Sequence, residues 1–216
     1  NFSSALNGLS ASTVYYYRAY ATNAGGTTYG SQLSFTTAAP VLTATPLTAF
    51  GPVCVNTTAG PMSFVINSTF VTAANINVGP LAGYSFATTS GGTYTASLSL
   101  VHAAGPYTQT IYVQFAPTAV QSYSGNIPVS GGGAAAINVV ASGSGINSGA
   151  TVNTGNATIL SPNAVTLNGD IATAGCSQVT AYGIEYSGIS GLANGLGTKV
   201  AANNLNSNSF SVTLNG

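Results

Sequence analysis

Apolar and polar residues alternate along most of the chain, in short runs rich in Thr, Val, Tyr and Ala that clusters of Gly and Asn separate. A period of two residues predicts β-strands with one buried face. No stretch combines a sustained 3.6-residue period with helix-forming residues, so the pattern predicts an all-β fold. The predicted strands cover residues 13–22, 27–36, 62–67, 93–101, 109–116, 123–129, 135–142, 164–172, 178–187 and 209–214. Short strands at this spacing favour tandem β-sandwiches over one large barrel.

The two ends of the sequence are similar to each other. Residues 1–8 (NFSSALNG) and 209–216 (SFSVTLNG) are identical at five of eight positions, at an offset of 208 residues. Similarity at a long fixed offset is typical of repeat proteins. We interpret the chain as one period of a tandem array that starts inside one domain and stops inside the next. A chance similarity between two strands is the alternative.

The segment Leu9–Tyr15 (LSASTVY), the strand after it and the following NAGG resemble the E–F corner and F strand of a fibronectin type III domain. Ala11 stands where the family pattern has Pro. The resemblance implies that Leu9 and Tyr15 form a structural corner, with the tyrosine ring buried and its hydroxyl bonded to nearby backbone. It further implies that strand G points Tyr29, Leu33 and Phe35 inward.

The C-terminal part resembles the front half of the same domain, with strands A at 151–160, B at 164–172, C at 178–187 and E at 209–214. The runs YYYRAYATN, SFTT and YGIEYS (residues 15–23, 34–37 and 182–187) specifically resemble repeats of large cell-surface adhesins of gliding Gram-negative bacteria. This resemblance covers about half of the chain. It implies type IX export and an extracellular location on the cell surface.

The middle of the chain opens with Pro40 and Pro46 and closes with the Gly/Ser-rich stretch 142–149. Its sequences FGPVCV (50–55), TIYVQFAP (110–117) and YSG (123–125) are similar to immunoglobulin-like domains of cilia-associated and bacterial surface proteins. The chain thus divides into three regions. Residues 1–38 are the C-terminal half (strands E–F–G) of a fibronectin-like domain, 39–146 an immunoglobulin-like domain, and 147–216 the N-terminal half (strands A–E) of the next fibronectin-like domain.

The small number of charged residues excludes several classes of function. The 216 residues include only two basic and two acidic side chains. Two cations cannot form a nucleic-acid footprint. The carboxylates, Asp170 and Glu185, and the lone His102 leave little for acid–base catalysis or for a metal, and we expect them to be structural. No Gly-x-Ser-x-Gly motif is present. No apolar run approaches the roughly 20 residues of a membrane span. We therefore expect neither an enzyme nor a cofactor.

Small soluble domains usually carry a net charge of about 2 to 8, whereas this chain has a formal net charge of zero. Such a chain is better suited to an immobilised assembly than to a free monomer. The sequence therefore predicts a structural repeat unit of an extracellular fibre or adhesin stalk, which acts as a mechanical spacer and whose main partner is itself.

A glycan-binding adhesive module is the rival interpretation. Tyr16, Arg18 and Tyr20 alternate on the outer face of the predicted F strand, and Tyr29 adds a further aromatic ring. Such a ladder suits a sugar, a neighbouring domain or a simple cross-strand stack. An ice- or mineral-binding surface ranks lower, because the many Thr residues form no strict short-period array.

Cys54 and Cys176 are the only cysteines and lack metal-ligand spacing. The fibronectin resemblance places Cys176 in the B–C loop, at the pole that faces the preceding domain. The immunoglobulin resemblance places Cys54 near the end of the first strand, at the same junction. Together they imply an interdomain disulfide. Two buried free thiols and a bridge between neighbouring fibres remain the alternatives.

Overall fold

The computed structural model describes residues 5–216, and every regular element in that range is a β-strand, which confirms the predicted all-β class. The strands are β1 (Val14–Tyr17), β2 (Tyr20–Asn23), β3 (Gly26–Tyr29), β4 (Leu33–Thr36), β5 (Val41–Ala44), β6 (Gly51–Cys54), β7 (Ala59–Val71), β8 (Ile76–Val78), β9 (Tyr84–Ala87), β10 (Leu98–Leu100), β11 (Gly105–Phe115), β12 (Gly125–Gly131), β13 (Ala134–Ala141), β14 (Gly143–Ile146), β15 (Thr151–Ser161), β16 (Ala164–Thr173), β17 (Gly183–Tyr186), β18 (Thr198–Ala201) and β19 (Ser209–Asn215). The first half of the segment 1–8 lies outside the described residues.

The chain divides into two compact units. The first contains the described residues up to Gly51, together with Thr58–Ala116 and Ser122–Ser144. The second contains Pro52–Thr57, Pro117–Gln121 and Gly145–Gly216. Two short segments of the predicted middle domain thus belong to the second unit. Within residues 5–216, no helix has the length and apolarity needed to cross a membrane.

Two four-stranded antiparallel sheets form the core of the first unit, in the orders β10-β8-β12-β13 and β5-β7-β11-β9. The alternation on β11 shows how the sequence fills this core, since Ile111, Val113 and Phe115 have no exposed surface while the residues between them are half-buried. Fully buried side chains come from both sheets: Phe64, Ile66, Ile76, Val78, Phe86, Ile111, Val113, Phe115, Ile127 and Val129. Such burial stabilises each large side chain by about 1.5–3 kcal/mol.

Aromatic rings close one end of this core. The ring of Phe115 lies 4.9 Å from that of Tyr84, 5.5 Å from that of Tyr123 and 5.6 Å from that of Phe50, measured between centroids. Gly143 packs so tightly against this cluster that a Cβ atom there would lie 2.8 Å from the Phe115 ring. Only glycine fits at this position without displacing the ring.

Residues 14–36 form a hairpin that the sequence predicts as two continuous strands. Both strands are interrupted, at Arg18–Ala19 and at Gly30–Gln32, so that β1 pairs with β4 and β2 with β3. The Gly30 N–H donates to the Ala19 carbonyl at 2.9 Å and keeps the two ladders connected. Because of these interruptions, the alternation of side chains between the two faces of the hairpin does not continue unchanged from β1 into β2 or from β3 into β4.

The second unit holds a three-stranded antiparallel sheet, β15-β16-β19, and a two-stranded sheet, β17-β18. One face of the larger sheet is apolar, because apolar residues lie opposite one another in register. The pairs are Val152↔Ile171, Ile159↔Val165, Val165↔Leu214 and Leu167↔Val212. The ring of Tyr182, just before β17, lies 5.4 Å from that of Phe210 on β19, which brings the smaller sheet against the apolar face.

Six strands of three or four residues lie outside the ten ranges predicted from alternation: β5, β6, β8, β9, β14 and β18. β8 has only Ile76 and Val78 as buried positions, although it pairs with both β10 and β12. Three residues cannot establish a period of two in the sequence. Pairing with other strands supplies the hydrogen-bond partners of these short strands.

Candidate assembly surfaces and the disulfide

One face of the hairpin is apolar and largely uncovered. Tyr15 lies opposite Phe35 and Tyr17 opposite Leu33 across β1 and β4, so the four side chains share a face. The Phe35 ring contacts Tyr15 at 5.8 Å and Tyr17 at 6.0 Å, between centroids. Tyr17 and Leu33 nevertheless remain 49% and 57% exposed. We call these four residues the hairpin face.

The corner before β1 holds the hairpin in shape. The Ser10 N–H donates to the Tyr15 hydroxyl at 2.8 Å, which is the hydroxyl-to-backbone bond that the resemblance implies for this tyrosine. The Thr37 hydroxyl donates to the Ser10 carbonyl at 2.6 Å and ties the corner to the end of β4. The Tyr15 ring is half-buried rather than buried, and Leu9 is 37% exposed. The corner is therefore formed, while the core that it should border is open.

The hairpin also carries Arg18 and a group of exposed tyrosines. The Arg18 guanidinium lies 4.1 Å from the centroid of the Tyr29 ring, a cation–π contact, and the Tyr20 and Tyr29 rings are 6.2 Å apart. Tyr16 and Tyr20 are each 68% exposed. Tyr29 and Leu33 are both 57% exposed, and the interruption at Gly30–Gln32 separates them, so alternation alone does not relate their orientations.

The apolar face of the second unit is covered at one side and open at the other. Ile171, Phe210 and Val212 are each 6% exposed. Val152 and Ile159 on β15 lie on the same face, yet they are 63% and 75% exposed. We call the face that these five residues share the acceptor face. Sequence reasoning did not single out Val152 and Ile159, although their pairing with the apolar positions of residues 164–172 would have indicated them.

Two surface grooves lie along strands of the second unit and of the hairpin. In the described part of the chain β17 pairs with β18 alone, and a groove of about 460 Å³ runs along both strands, lined by residues 181–185 and 199–201. In the hairpin a groove of about 350 Å³ follows the segment Arg18–Thr22, where β1 passes into β2. An unpaired strand edge presents N–H and C=O groups that can accept another strand.

The structure joins Cys54 and Cys176 in a disulfide with the two Cα atoms 5.4 Å apart. Cys54 is the last residue of β6, and its carbonyl accepts the Thr57 N–H at 3.2 Å in the turn after that strand. Cys176 lies just beyond β16, and its N–H donates to the Ser148 carbonyl at 2.9 Å. The pairing is the one that the resemblances imply, but both cysteines lie within the second compact unit.

The acidic groups occupy separate sites. The Glu185 carboxylate accepts the N–H groups of Gly197 at 2.7 Å and Gly195 at 3.1 Å, and Glu185 lies opposite Lys199 in the ladder. These two backbone bonds, followed by the Lys199 charge, lower the pKa of Glu185 below its ordinary value. Asp170 instead accepts a hydrogen bond from the Asn153 amide at 2.9 Å on the other sheet. The two carboxylates therefore have different hydrogen-bond partners, on different sheets.

The single histidine has structural contacts. The His102 Nδ1 and Nε2 atoms lie 2.7 Å from the Ala103 carbonyl and 3.0 Å from the Ala74 carbonyl, and the ring stacks on Tyr107 at 4.8 Å. These contacts join the segment before β11 to the segment before β8. Over residues 5–216, no group of three His, Cys, Asp or Glu side chains is placed to hold a metal ion.

The comparisons with known proteins give no relative: no protein-family model matches the chain, and no curated protein matches it. Function is therefore inferred from the two open apolar faces, the free strand edges, the exposed tyrosines and the disulfide.

Removal of the disulfide by a Cys54→Ser/Cys176→Ser double substitution should lower the free energy of unfolding. The bridge spans a sequence separation of 122 residues, and loop-closure entropy on that scale is worth about 4–5 kcal/mol, which native-state strain reduces. Urea unfolding followed by tyrosine fluorescence measures the change. Reductant should destabilise the wild-type chain by the same amount and leave the double variant unaffected. Equal stability of the two proteins without reductant would contradict the prediction.

Acid should remove the contribution of Glu185 to stability. Because the folded-state pKa of Glu185 is lowered, its contribution is present above the unfolded-state pKa, about 4.3, and is lost as the pH falls through the folded value. A Glu185→Gln variant should therefore be less stable at neutral pH and should lose less stability on acidification. Carboxyl NMR titration should give a lower pKa for Glu185 in the folded chain than in urea. Equal values in the two states would show that the Gly195 and Gly197 bonds do not favour the charged form.

Proposed function

We propose that the chain is a structural repeat unit of an extracellular fibre or adhesin stalk, built from alternating fibronectin type III-like and immunoglobulin-like sandwiches. One observation carries the proposal: the hairpin face and the acceptor face both expose large apolar side chains on well-formed sheets. Tyr17, Leu33, Val152 and Ile159 are between 49% and 75% exposed. Exposed apolar faces of this kind mark interaction surfaces, and in a polymer neighbouring units cover them.

The sparse charges support the same role. The chain has a formal net charge of zero from four ionised side chains. Arg18 lies over a tyrosine ring and Lys199 opposite Glu185, so three of the four charged side chains have local partners. Electrostatic repulsion between copies is correspondingly weak, which permits lateral contact between fibres.

The proposed role is mechanical. Each sandwich adds length, short connections set the angle between neighbours, and the Cys54–Cys176 bridge limits how far the chain between them can extend under load. A disulfide suits an oxidising extracellular location. Type IX export and display on the cell surface follow from the resemblance to gliding-bacterium adhesins. Neither a catalytic group nor a cofactor is required.

Electron microscopy of the native protein tests the proposal. We expect filaments of repeating globules that bundle, and we expect the bundles to persist when the salt concentration is raised, since charge contacts contribute little. Dispersed single particles near 21.3 kDa, the mass of one chain, would contradict the fibre role. Dispersion of the bundles by salt would show instead that charge pairs hold them together.

A glycan-binding module is the second candidate, and the exposed row of Tyr16, Arg18, Tyr20 and Tyr29 favours it. Sugar rings stack on such tyrosines. If this row binds a glycan, a Tyr16→Ala/Tyr20→Ala variant should bind surface polysaccharide about 5- to 150-fold more weakly, since each of the two aromatic contacts is worth about 0.5–1.5 kcal/mol. Glycan-array binding measures this. Tyr186→Ala, which removes an exposed tyrosine of the second unit, is the matched control. Equal binding by all three proteins would rule against a glycan site on this row.

A further inference from the structure

We propose that the hairpin of residues 9–37 in one copy of the chain docks on the second unit of another copy and completes its sandwich. In this arrangement the hairpin face covers the acceptor face, and the β1–β2 edge adds to the free edge of β17. The inference rests on the proposed function, of which it specifies the partner and the interface. The contact is head-to-tail, because two different surfaces meet.

The unpaired strand edges are the first observation in support of this contact. The second unit has a three-stranded sheet facing a sheet of only two strands, β17 and β18. In the described part of the chain, the hairpin ladders also pair only with each other. A hairpin placed beside β17 would give a four-stranded sheet, the size of both sheets that enclose the closed core of the first unit. One groove runs along β17 and β18, and another follows Arg18–Thr22 of the hairpin.

The apolar residues on the two faces are the second observation in support of this contact. The hairpin face presents three aromatic rings and a leucine, whereas the open side of the acceptor face presents Val152 and Ile159. Neither set contains a charged residue. Arg18 lies over the Tyr29 ring rather than among these residues, and Glu185 is held by the loop at Gly195 and Gly197. Joining the faces therefore removes apolar surface from water without burying an ionised group.

The end similarity identifies the occupant as this same chain. Ser209–Asn215 forms β19 and pairs with β16 along its whole length. The segment 1–8, whose sequence is similar to that of β19, immediately precedes the hairpin. A hairpin that comes after β19 belongs to the same sandwich as β15, β16 and β19. A second copy supplies such a hairpin, and since each copy also offers its own acceptor face, the contact propagates into an open-ended fibre.

Charge substitutions on the two faces test the pairing in the 216-residue chain. Leu33→Asp places a carboxylate on the hairpin face and Ile159→Asp places one on the acceptor face. Because both side chains are more than half exposed in a single copy, these variants should fold. Ser34→Asp and Thr158→Asp are the matched controls, since they add the same charge one residue away on the opposite faces. Sedimentation equilibrium measures the mass of each protein.

We expect the wild-type chain and both controls to form species that grow with concentration. Leu33→Asp and Ile159→Asp should each lose every species above 21.3 kDa at concentrations where the wild type associates. A mixture of the two should form a dimer and stop there, because the intact hairpin of one variant fits the intact acceptor face of the other. Dimer formation in the mixture distinguishes a head-to-tail contact from a symmetric one. In a symmetric contact both copies use the same face, so the variant in which that face is blocked would not pair with the other variant.

Three results would overturn the proposal: a wild-type chain that stays monomeric, face variants that associate like their controls, or a mixture that remains monomeric. Electron microscopy of the same samples tests the fibre role separately from the head-to-tail contact. Filaments formed by Leu33→Asp would leave the fibre role standing while refuting the head-to-tail contact. Dimers in the mixture without wild-type filaments would support the contact and count against the fibre.

Discussion

Coverage of apolar sheet faces is the constraint on which the rest of this structure depends. A β-sheet that alternates apolar and polar positions is stable only where a second layer covers its apolar face. In the first unit two four-stranded sheets satisfy this requirement, and Ile111, Val113 and Phe115 have no exposed surface. The hairpin and the second unit satisfy it only in part, as Leu33 and Ile159 show. Because these faces are uncovered in a single copy, we propose that another copy of the chain covers them.

The scarcity of charge fits the same constraint. A free domain with open apolar faces needs net charge to resist aggregation, and this chain has none. The few ionised groups are instead used locally: Arg18 on a tyrosine ring, Glu185 on two backbone N–H groups, and Asp170 on an asparagine amide. Specificity then comes from shape, strand edges and apolar contact. The disulfide adds covalent strength that such a surface cannot supply through ion pairs.

The sequence predicted the all-β class and most of the long strands, because a strand of eight or more residues repeats its alternation often enough to be recognised. Strands β13 and β16 lie within one residue of their predicted limits. The corner at Tyr15 and the pairing of Cys54 with Cys176 were also within reach of sequence resemblance, since each depends on a local motif or on a choice among few cysteines. The fibronectin and immunoglobulin assignments remain proposals.

The sequence by itself therefore determined the periodic part of the molecule: an all-β chain with few charges, one possible intramolecular disulfide and two ends of similar sequence. Only the tertiary structure decided that Tyr29 lies under Arg18, that the segment with Cys54 belongs to the second unit, and that Val152 and Ile159 are uncovered. The physical reason is common to all three. Each depends on which distant strands pair and where a ladder is interrupted, and alternation along one strand carries no information about its neighbours.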